Sequence, residues 1–287
     1  MDLTSKIWRS LNRLPPFPAT VHKVTCLINN PDSSLSELVE VIRLDQGITA
    51  NILRMSNSAY FGLRYKVDNV HDAIMFLGKQ NVVRAVMTAG ASRFFKDTPG
   101  YEVKAKDLWE HAVGTALMSQ ILAKKILKHE DSQLFTAALL HDIGKIILDE
   151  FVSEKYHEIK NVMSVRSCSL LGAEEEVLGV NHAGIGGMIC AAWRFPEDIQ
   201  QAITYHHRPD CHPVTASPVP WLIYLADQAC LMMGIGVGTD DLSSHRLDEA
   251  MNRFGFTNKD FEEATTLLFA ELDNASELIG IVQPKAA

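Results

Sequence analysis

Cysteine is scarce in this chain: five in 287 residues, Cys26, Cys168, Cys190, Cys211 and Cys230. No two form a CxxC pair, which excludes a disulfide framework and a Cys-rich zinc site. Long apolar runs are missing as well. Nothing approaches the ~18 consecutive apolar residues that a membrane-spanning helix needs. The opening stretch MDLTSKIWRSLNRLPPFP also lacks the apolar centre of a signal peptide. A soluble, cytoplasmic protein with no membrane partner is expected. Positive charge is in deficit, with 27 Lys+Arg against 35 Asp+Glu leaving −8. Nonspecific binding to a phosphate backbone needs a basic face, so no direct DNA binding is expected. Strand-like alternation and internal repeats are absent too.

What is present is ordinary globular material, 47% hydrophobic and 22% charged, which argues against disorder. A prior of about 100–200 residues per domain suggests two domains. Nearly every segment carries a helical period, so the expected fold is all-α in two helical lobes. In SLSELVEVIR (34–43), Ser34 and Glu37 form a capping box ahead of the stripe Leu35, Leu38, Val39 and Ile42. Short helices are expected at 48–58 and 68–76. A longer one covers 79–95, with Val82, Val83, Val86 and Met87 on its apolar face. Lys96-Asp97-Thr98-Pro99-Gly100 then stops the helix and divides a lobe of 1–97 from one of 101–287. In the second lobe helices are expected at 104–128, 131–149, 153–163, 169–179, 182–193 and 196–206. After a loop from Pro209 to Pro220 they resume at 219–233, 243–254 and 258–279.

Histidine is the abundant oddity, with eleven residues. The run LFTAALLHDIGKIIL is apolar on most sides yet holds His141, Asp142 and Lys145. On a continuous helix at about 100° per residue these share one face. An acid there requires a facing cation, a metal ion or a buried base, unless Asp142 simply caps a helix end or pairs with a neighbour. His111 lies in line with Leu108, Thr115 and Leu122 on helix 104–128, with Asp107 one turn earlier. His182 opens a helix in NHAGIGG, His206-His207 close another, and Asp227 interrupts the apolar WLIYLADQAC. Each alone has a bland reading as a satisfied core or helix-end residue.

Together they are a set of nitrogen and oxygen ligands without thiolate, which suits a borderline transition metal such as iron, manganese or zinc; iron is the expected cofactor. Five histidines and two aspartates exceed one tetrahedral site, so two divalent metal ions sharing Asp142 is the economical arrangement. Two such ions about 3.5–4 Å apart activate a bridging water and clamp a phosphoryl oxygen. Lys145 would then neutralise charge or protonate a leaving oxygen. Its alternative is a lysine whose stem covers the core while its head reaches water. His22, His71, His129, His157, His212 and His245 call for no special role.

The order His111, His141-Asp142-Ile143-Gly144-Lys145, Asp227 resembles the H…HD…D motif of the HD superfamily of metal-dependent phosphohydrolases. The added His182 and His206-His207 resemble its HD-GYP branch, which cleaves cyclic dinucleotides. LPPFPATVHKV (14–24), ILRMSNSAYFG (52–62) and AIMFLG (73–78) resemble the HDOD family, the HD-related output domain of bacterial signalling proteins. That resemblance spans about residues 10–235. It implies an N-terminal HDOD helical bundle plus an HD-like α-helical domain. It places one metal on His111, His141, Asp142 and Asp227, and a second on Asp142, His182, His206 and His207. Asp107 corresponds to an extra acidic ligand of some HD-GYP proteins. Asp142 and Lys145 would be the catalytic pair. HDOD proteins commonly lack part of this set and act as non-catalytic regulators, whereas this chain keeps every ligand. HHRPDCHP shows no GYP element, so cyclic-dinucleotide specificity is not carried over.

The expected function is a bacterial signal-transduction regulator with a dinuclear metal site, with phosphohydrolase activity on a nucleotide left open. The alternative is a non-catalytic output module that binds a signalling protein partner or a nucleotide ligand and uses its metals for structure or sensing. A diiron redox sensor is a third class, supported by ligand types alone. SNSAYFG offers either a partner surface or a core closure by Tyr60 and Phe61, with Asn57 satisfying turn amides.

Overall fold

The computed structural model describes residues 3–30, 32–57, 65–214, 217–235 and 244–274. Among these every regular element is helical, and the one β pairing is an isolated antiparallel bridge between Thr98 and Val103. The all-α expectation holds. The chain forms two compact units, one of Met1–Pro15 with Phe94–Leu268, the other of Pro16–Arg93 with the chain from Phe269.

The helices in chain order begin with α1 (Leu3–Leu11), α2 (Ala19–Asn29), α3 (Leu35–Arg43), α4 (Gln46–Ser56) and α5 (Val70–Ala91). The first two are not evident in the sequence, because Pro15, Pro16 and Pro18 read as loop. Pro18 in fact stands just ahead of α2, where a missing N–H costs nothing. The capping box forms as expected: Glu37 N donates to Ser34 Oγ at 3.2 Å, and Ser34 N donates to Glu37 Oε2 at 2.7 Å. Leu38, Val39 and Ile42 are buried behind it.

Helix α5 is broken at Gly78, whose φ of 72° and ψ of 165° suit a residue without Cβ, so the two helices expected at 68–76 and 79–95 meet there. Val82, Val83, Val86 and Met87 are all buried. Asn57 ties the chain after α4 to Val67: its Nδ2 donates to Val67 O at 2.7 Å and its Oδ1 accepts from Val67 N at 2.8 Å. Tyr60 and Phe61 lie outside the described residues.

The other unit contains α1 and continues with α6 (Ala105–Ile126), α7 (Ser132–Leu140), α8 (Lys145–Glu154), α9 (Tyr156–Arg166) and α10 (Leu170–Leu178). It then carries α11 (His182–Ala192), α12 (Glu197–Thr204), α13 (Val219–Met232), α14 (Ser244–Arg253) and α15 (Asn258–Asn274), the last as far as Leu268. Helices α6 and α13 are its centre, buried from Leu108 to Ala123 except at the half-buried Glu110, and from Pro220 to Cys230.

One expectation needs correction. The helix expected over 131–149 is two helices: α7 ends at Leu140 and α8 starts at Lys145. Between them the hydrogen bonds tighten to three-residue spacing, Ile143 N to Leu140 O at 3.0 Å and Lys145 N to Asp142 O at 3.0 Å. His141, Asp142 and Lys145 therefore share a turn, not the face of a continuous helix. The apolar period runs unbroken through this stretch and hides the turn. Pro99–Tyr101 forms a 3-10 turn seated on α8, where Gly100 N donates to Asp149 Oδ1 at 2.8 Å.

Candidate metal centre

Five elements of one unit bring the predicted donors together. His111 comes from the middle of α6, His141 and Asp142 from the α7–α8 turn, and His182 from the first position of α11. His206 and His207 follow α12 in a turn, and Asp227 comes from α13. The start of α11 is set by Asn181, whose side chain accepts from Gly184 N at 2.7 Å.

The donor atoms fall into two groups. Those of His111, His141 and Asp142 all lie within 4.8 Å of one another, and so do those of Asp142, His182, His206 and His207. Asp142 belongs to both, with one oxygen toward each. Its Oδ2 is 3.4 Å from His141 Nε2 and 3.9 Å from His111 Nε2, while its Oδ1 is 3.5 Å from His182 Nε2 and 3.9 Å from His206 Nε2. Asp227 adds its Oδ1 to the first group, 3.0 Å from His111 Nε2 and 3.8 Å from His141 Nε2. His207 Nε2 lies 3.0 Å from His182 Nε2 in the second.

The imidazoles are oriented from behind. His111, His141 and His206 place Nδ1 against the backbone carbonyls of Ile235, Ala138 and Ile203, at 3.0, 2.7 and 2.6 Å. A proton on Nδ1 satisfies each carbonyl and leaves Nε2 as a lone pair aimed inward. As a result Nε2 of His111, His141 and His206 and Oδ1 of Asp142 are buried with no hydrogen-bond partner. Nitrogen lone pairs facing carboxylate oxygens at 3–4 Å repel unless a proton or a cation lies between them. The donor set thus fits divalent metal ions by its own chemistry.

Without metal the imidazoles differ in charge preference. Burial, with His141 alongside, pushes the His206 imidazole down to about 3, so it is neutral, as a ligand must be. Burial opposes charge on His111, but the Asp227 carboxylate 3.0 Å from its Nε2 carries it above the usual histidine range. His182 moves the same way under Glu174. Burial likewise works against the Asp142 carboxylate, yet Lys145 and the histidines hold it well below the usual range; Asp227, also opposed by burial, is lowered by His111. Lys145, itself buried, donates from Nζ to Asp142 Oδ2 at 2.8 Å. Its head therefore points into the centre and does not snorkel to water.

Every predicted site residue is thus gathered at one place. Asp107 is partly exposed and enters neither group. His22, His71, His129, His157 and His212 also stay outside both. Sequence reasoning missed Glu174, fully buried, whose Oε2 lies 2.8 Å from His182 Nδ1 and whose Oε1 accepts from Tyr101 Oη at 2.6 Å. A signal existed: Glu174 sits at four-residue spacing between Leu170 and Leu178, on the buried stripe of α10.

Comparison with known proteins places this geometry in context. The sequence model of one family, HDOD domain, matches residues 14–209, which takes in every donor except Asp227. An uncharacterized protein of Treponema pallidum is 25% identical over 209 residues, 71% of this chain but 40% of its own length. Among solved structures, an HDOD domain protein of unknown function from Geobacter sulfurreducens superposes with a TM-score of 0.73 at 22% identity, covering 98% of this chain and 96% of its own. A candidate phosphohydrolase from Shewanella amazonensis does so at 0.71 and 21%, covering 96% and 98%. These likenesses establish the all-α fold.

Proposed function

The chain belongs to the HDOD domain family, and we propose that this member is a bacterial regulator that holds two divalent metal ions and hydrolyses a nucleotide phosphoester. Iron is the first choice of metal, manganese and zinc the alternatives. One observation carries the reading: four buried donor atoms of the two groups, the Nε2 of His111, His141 and His206 and Oδ1 of Asp142, have no hydrogen-bond partner. His111, His141, Asp142 and Asp227 would hold one ion, and Asp142, His182, His206 and His207 the other. Bound metals of this kind activate a shared water and polarise a phosphoryl oxygen.

The chain's own groups supply the rest. Asp142 presents one oxygen to each group of donors and so joins the two sites. Lys145 keeps an ammonium 2.8 Å from Asp142 Oδ2, in place to offset phosphate charge or to pass a proton to a leaving oxygen. His207 is only part-buried, unlike the other donors, so a substrate would approach from its side. The acidic balance of the chain is partly offset by two dications. No described helix is long and apolar enough to cross a membrane, and we place the protein in the cytoplasm.

A second reading is favoured by burial. The side chains of His111, His141, Asp142, His182, His206 and Asp227 are at most 5% exposed. A centre so enclosed suits metals kept for structure or sensing, in an output module that binds a signalling protein or a nucleotide.

Metal analysis of protein purified without chelator should find about two ions per chain, and less than half an equivalent overturns the metal centre. Screening cyclic dinucleotides, deoxynucleoside triphosphates and a generic phosphodiester with Fe(II) and Mn(II) separates the two readings. Hydrolysis that disappears in His141→Ala and Asp142→Ala supports turnover at this site. Hydrolysis that survives both changes refutes it, and no hydrolysis by metal-loaded protein favours the output module.

A further inference from the structure

Four buried histidines face the centre, and three rest their Nδ1 on neutral backbone carbonyls. His182 is different. Its Nδ1 lies 2.8 Å from Glu174 Oε2, the same oxygen accepts the His182 backbone N–H at 2.9 Å, and Tyr101 donates to the other oxygen at 2.6 Å. We propose that Glu174, held by Tyr101, is the positioning residue of the second metal site, fixing the His182 tautomer and making its Nε2 the stronger donor of the centre. The inference rests on the metal-centre reading and deepens it, because it makes the two sites unequal.

The chemistry runs from the outside in. Three donors converge on Glu174, which has no proton of its own to give when ionised, so it acts purely as an acceptor. The proton it draws from His182 must be the one on Nδ1, which leaves Nε2 free toward Asp142 Oδ1 at 3.5 Å and His207 Nε2 at 3.0 Å. A carboxylate behind an imidazole raises its basicity in a way that a neutral carbonyl does not. The backbone bond from His182 N to Glu174 also fixes the ring's point of attachment, so ring and chain are located by one oxygen. Tyr101 sits in the 3-10 turn anchored to α8 through Gly100 and Asp149, which holds the phenol in place.

The test is titration of the metal-free protein with Co(II) against a competing chelator, following binding and the cobalt absorption bands. Wild type should bind two ions. Glu174→Gln keeps the shape and an accepting oxygen but removes the charge; it should weaken one binding event by about 10–100-fold and leave the other within about threefold. The weakened event should differ from the one lost in His111→Ala, and only its absorption bands should shift. Tyr101→Phe, which leaves Glu174 on His182, should weaken the same event by a smaller factor and serves if Glu174→Gln does not fold. Two events in wild type with unchanged affinities in both variants overturn this inference and leave the metal centre standing. Equal weakening of both events also overturns it, because a general structural defect acts on both sites. A wild-type protein that binds no Co(II) overturns the metal-centre reading itself.

Discussion

Replacing Gly144 by alanine tests whether the turn carrying His141 and Asp142 is held against α11 by backbone contact. A Cβ on Gly144 would overlap the carbonyl of His182 and stand 2.8 Å from the amide nitrogen of Gly186. Both neighbours are backbone atoms, so no side-chain rotation relieves the collision. Gly144 has φ −65° and ψ −27°, ordinary helical values, so the penalty is steric and not conformational. Overpacking a core costs about 1–3 kcal/mol, and rigid backbone on both sides puts this case at the upper end. For a unit of this size about 3 kcal/mol lowers Tm by roughly 6–12 °C. The matched control is Gly184→Ala in α11, whose Cβ meets only Asn181 Oδ1 at 3.4 Å. That variant should stay within about 1 kcal/mol of the parent, since alanine favours the helix. Denaturation of the metal-free proteins measures both. A Gly144→Ala protein as stable as the Gly184→Ala control refutes the contact as the reason for glycine in this turn.

Two further predictions concern the charges at the centre. Asp142→Ala removes the carboxylate 2.8 Å from the buried Lys145 ammonium and should cost the metal-free protein about 3–5 kcal/mol, most of which Asp142→Ala with Lys145→Met recovers; strict additivity in denaturation would count against the pair. The His206 imidazole is pushed down to about 3, so between that value and the unfolded-state value of 6.5 the unfolded chain binds a proton that the folded one does not. Stability of the metal-free protein should therefore fall as pH drops from 6 toward 5, by about 1 kcal/mol per unit. His111 and His182, both raised, act in the opposite sense near 6.5, and their contribution levels off below about 6, where the unfolded chain also holds those protons. Urea midpoints across this range should lose that slope in His206→Gln, and an unchanged slope would show that another group carries it.

The donors were legible because they are polar residues in apolar helices, and each had to be explained by something facing it. Their ring orientation was not. That Ile235, Ala138 and Ile203 offer carbonyls to three imidazoles depends on backbone positions set by packing, which no residue type announces. Glu174 was hidden for a different reason. It stands in Glu174-Glu175-Glu176, and a run of acids reads as a solvated face. Only Glu174 turns inward; Glu175 pairs with Arg208 at 2.8 Å and Glu176 with Arg166 at 2.9 Å. Helix α2 was hidden by the prolines ahead of it, although proline suits the entrance to a helix.

The turn between α7 and α8 explains why one aspartate can serve two sites. Asp142 leaves the end of α7 where the hydrogen bonds have tightened to three-residue spacing, and Lys145 folds back on its Oδ2 from the first position of α8. The carboxylate then lies between two groups of donors. Oδ2 faces His111 of α6 and its neighbour His141, and Oδ1 faces the histidines that begin α11 and follow α12. Gly144 lets α11 come close enough for His182 to reach Oδ1, and Glu174 then aims its ring. The sequence HDIGK thus encodes three jobs in five residues: two donors, a close approach and a counter-charge. A straight helix through the same residues would satisfy the apolar period equally well, but it would remove the turn that lets Asp142 face both groups of histidines.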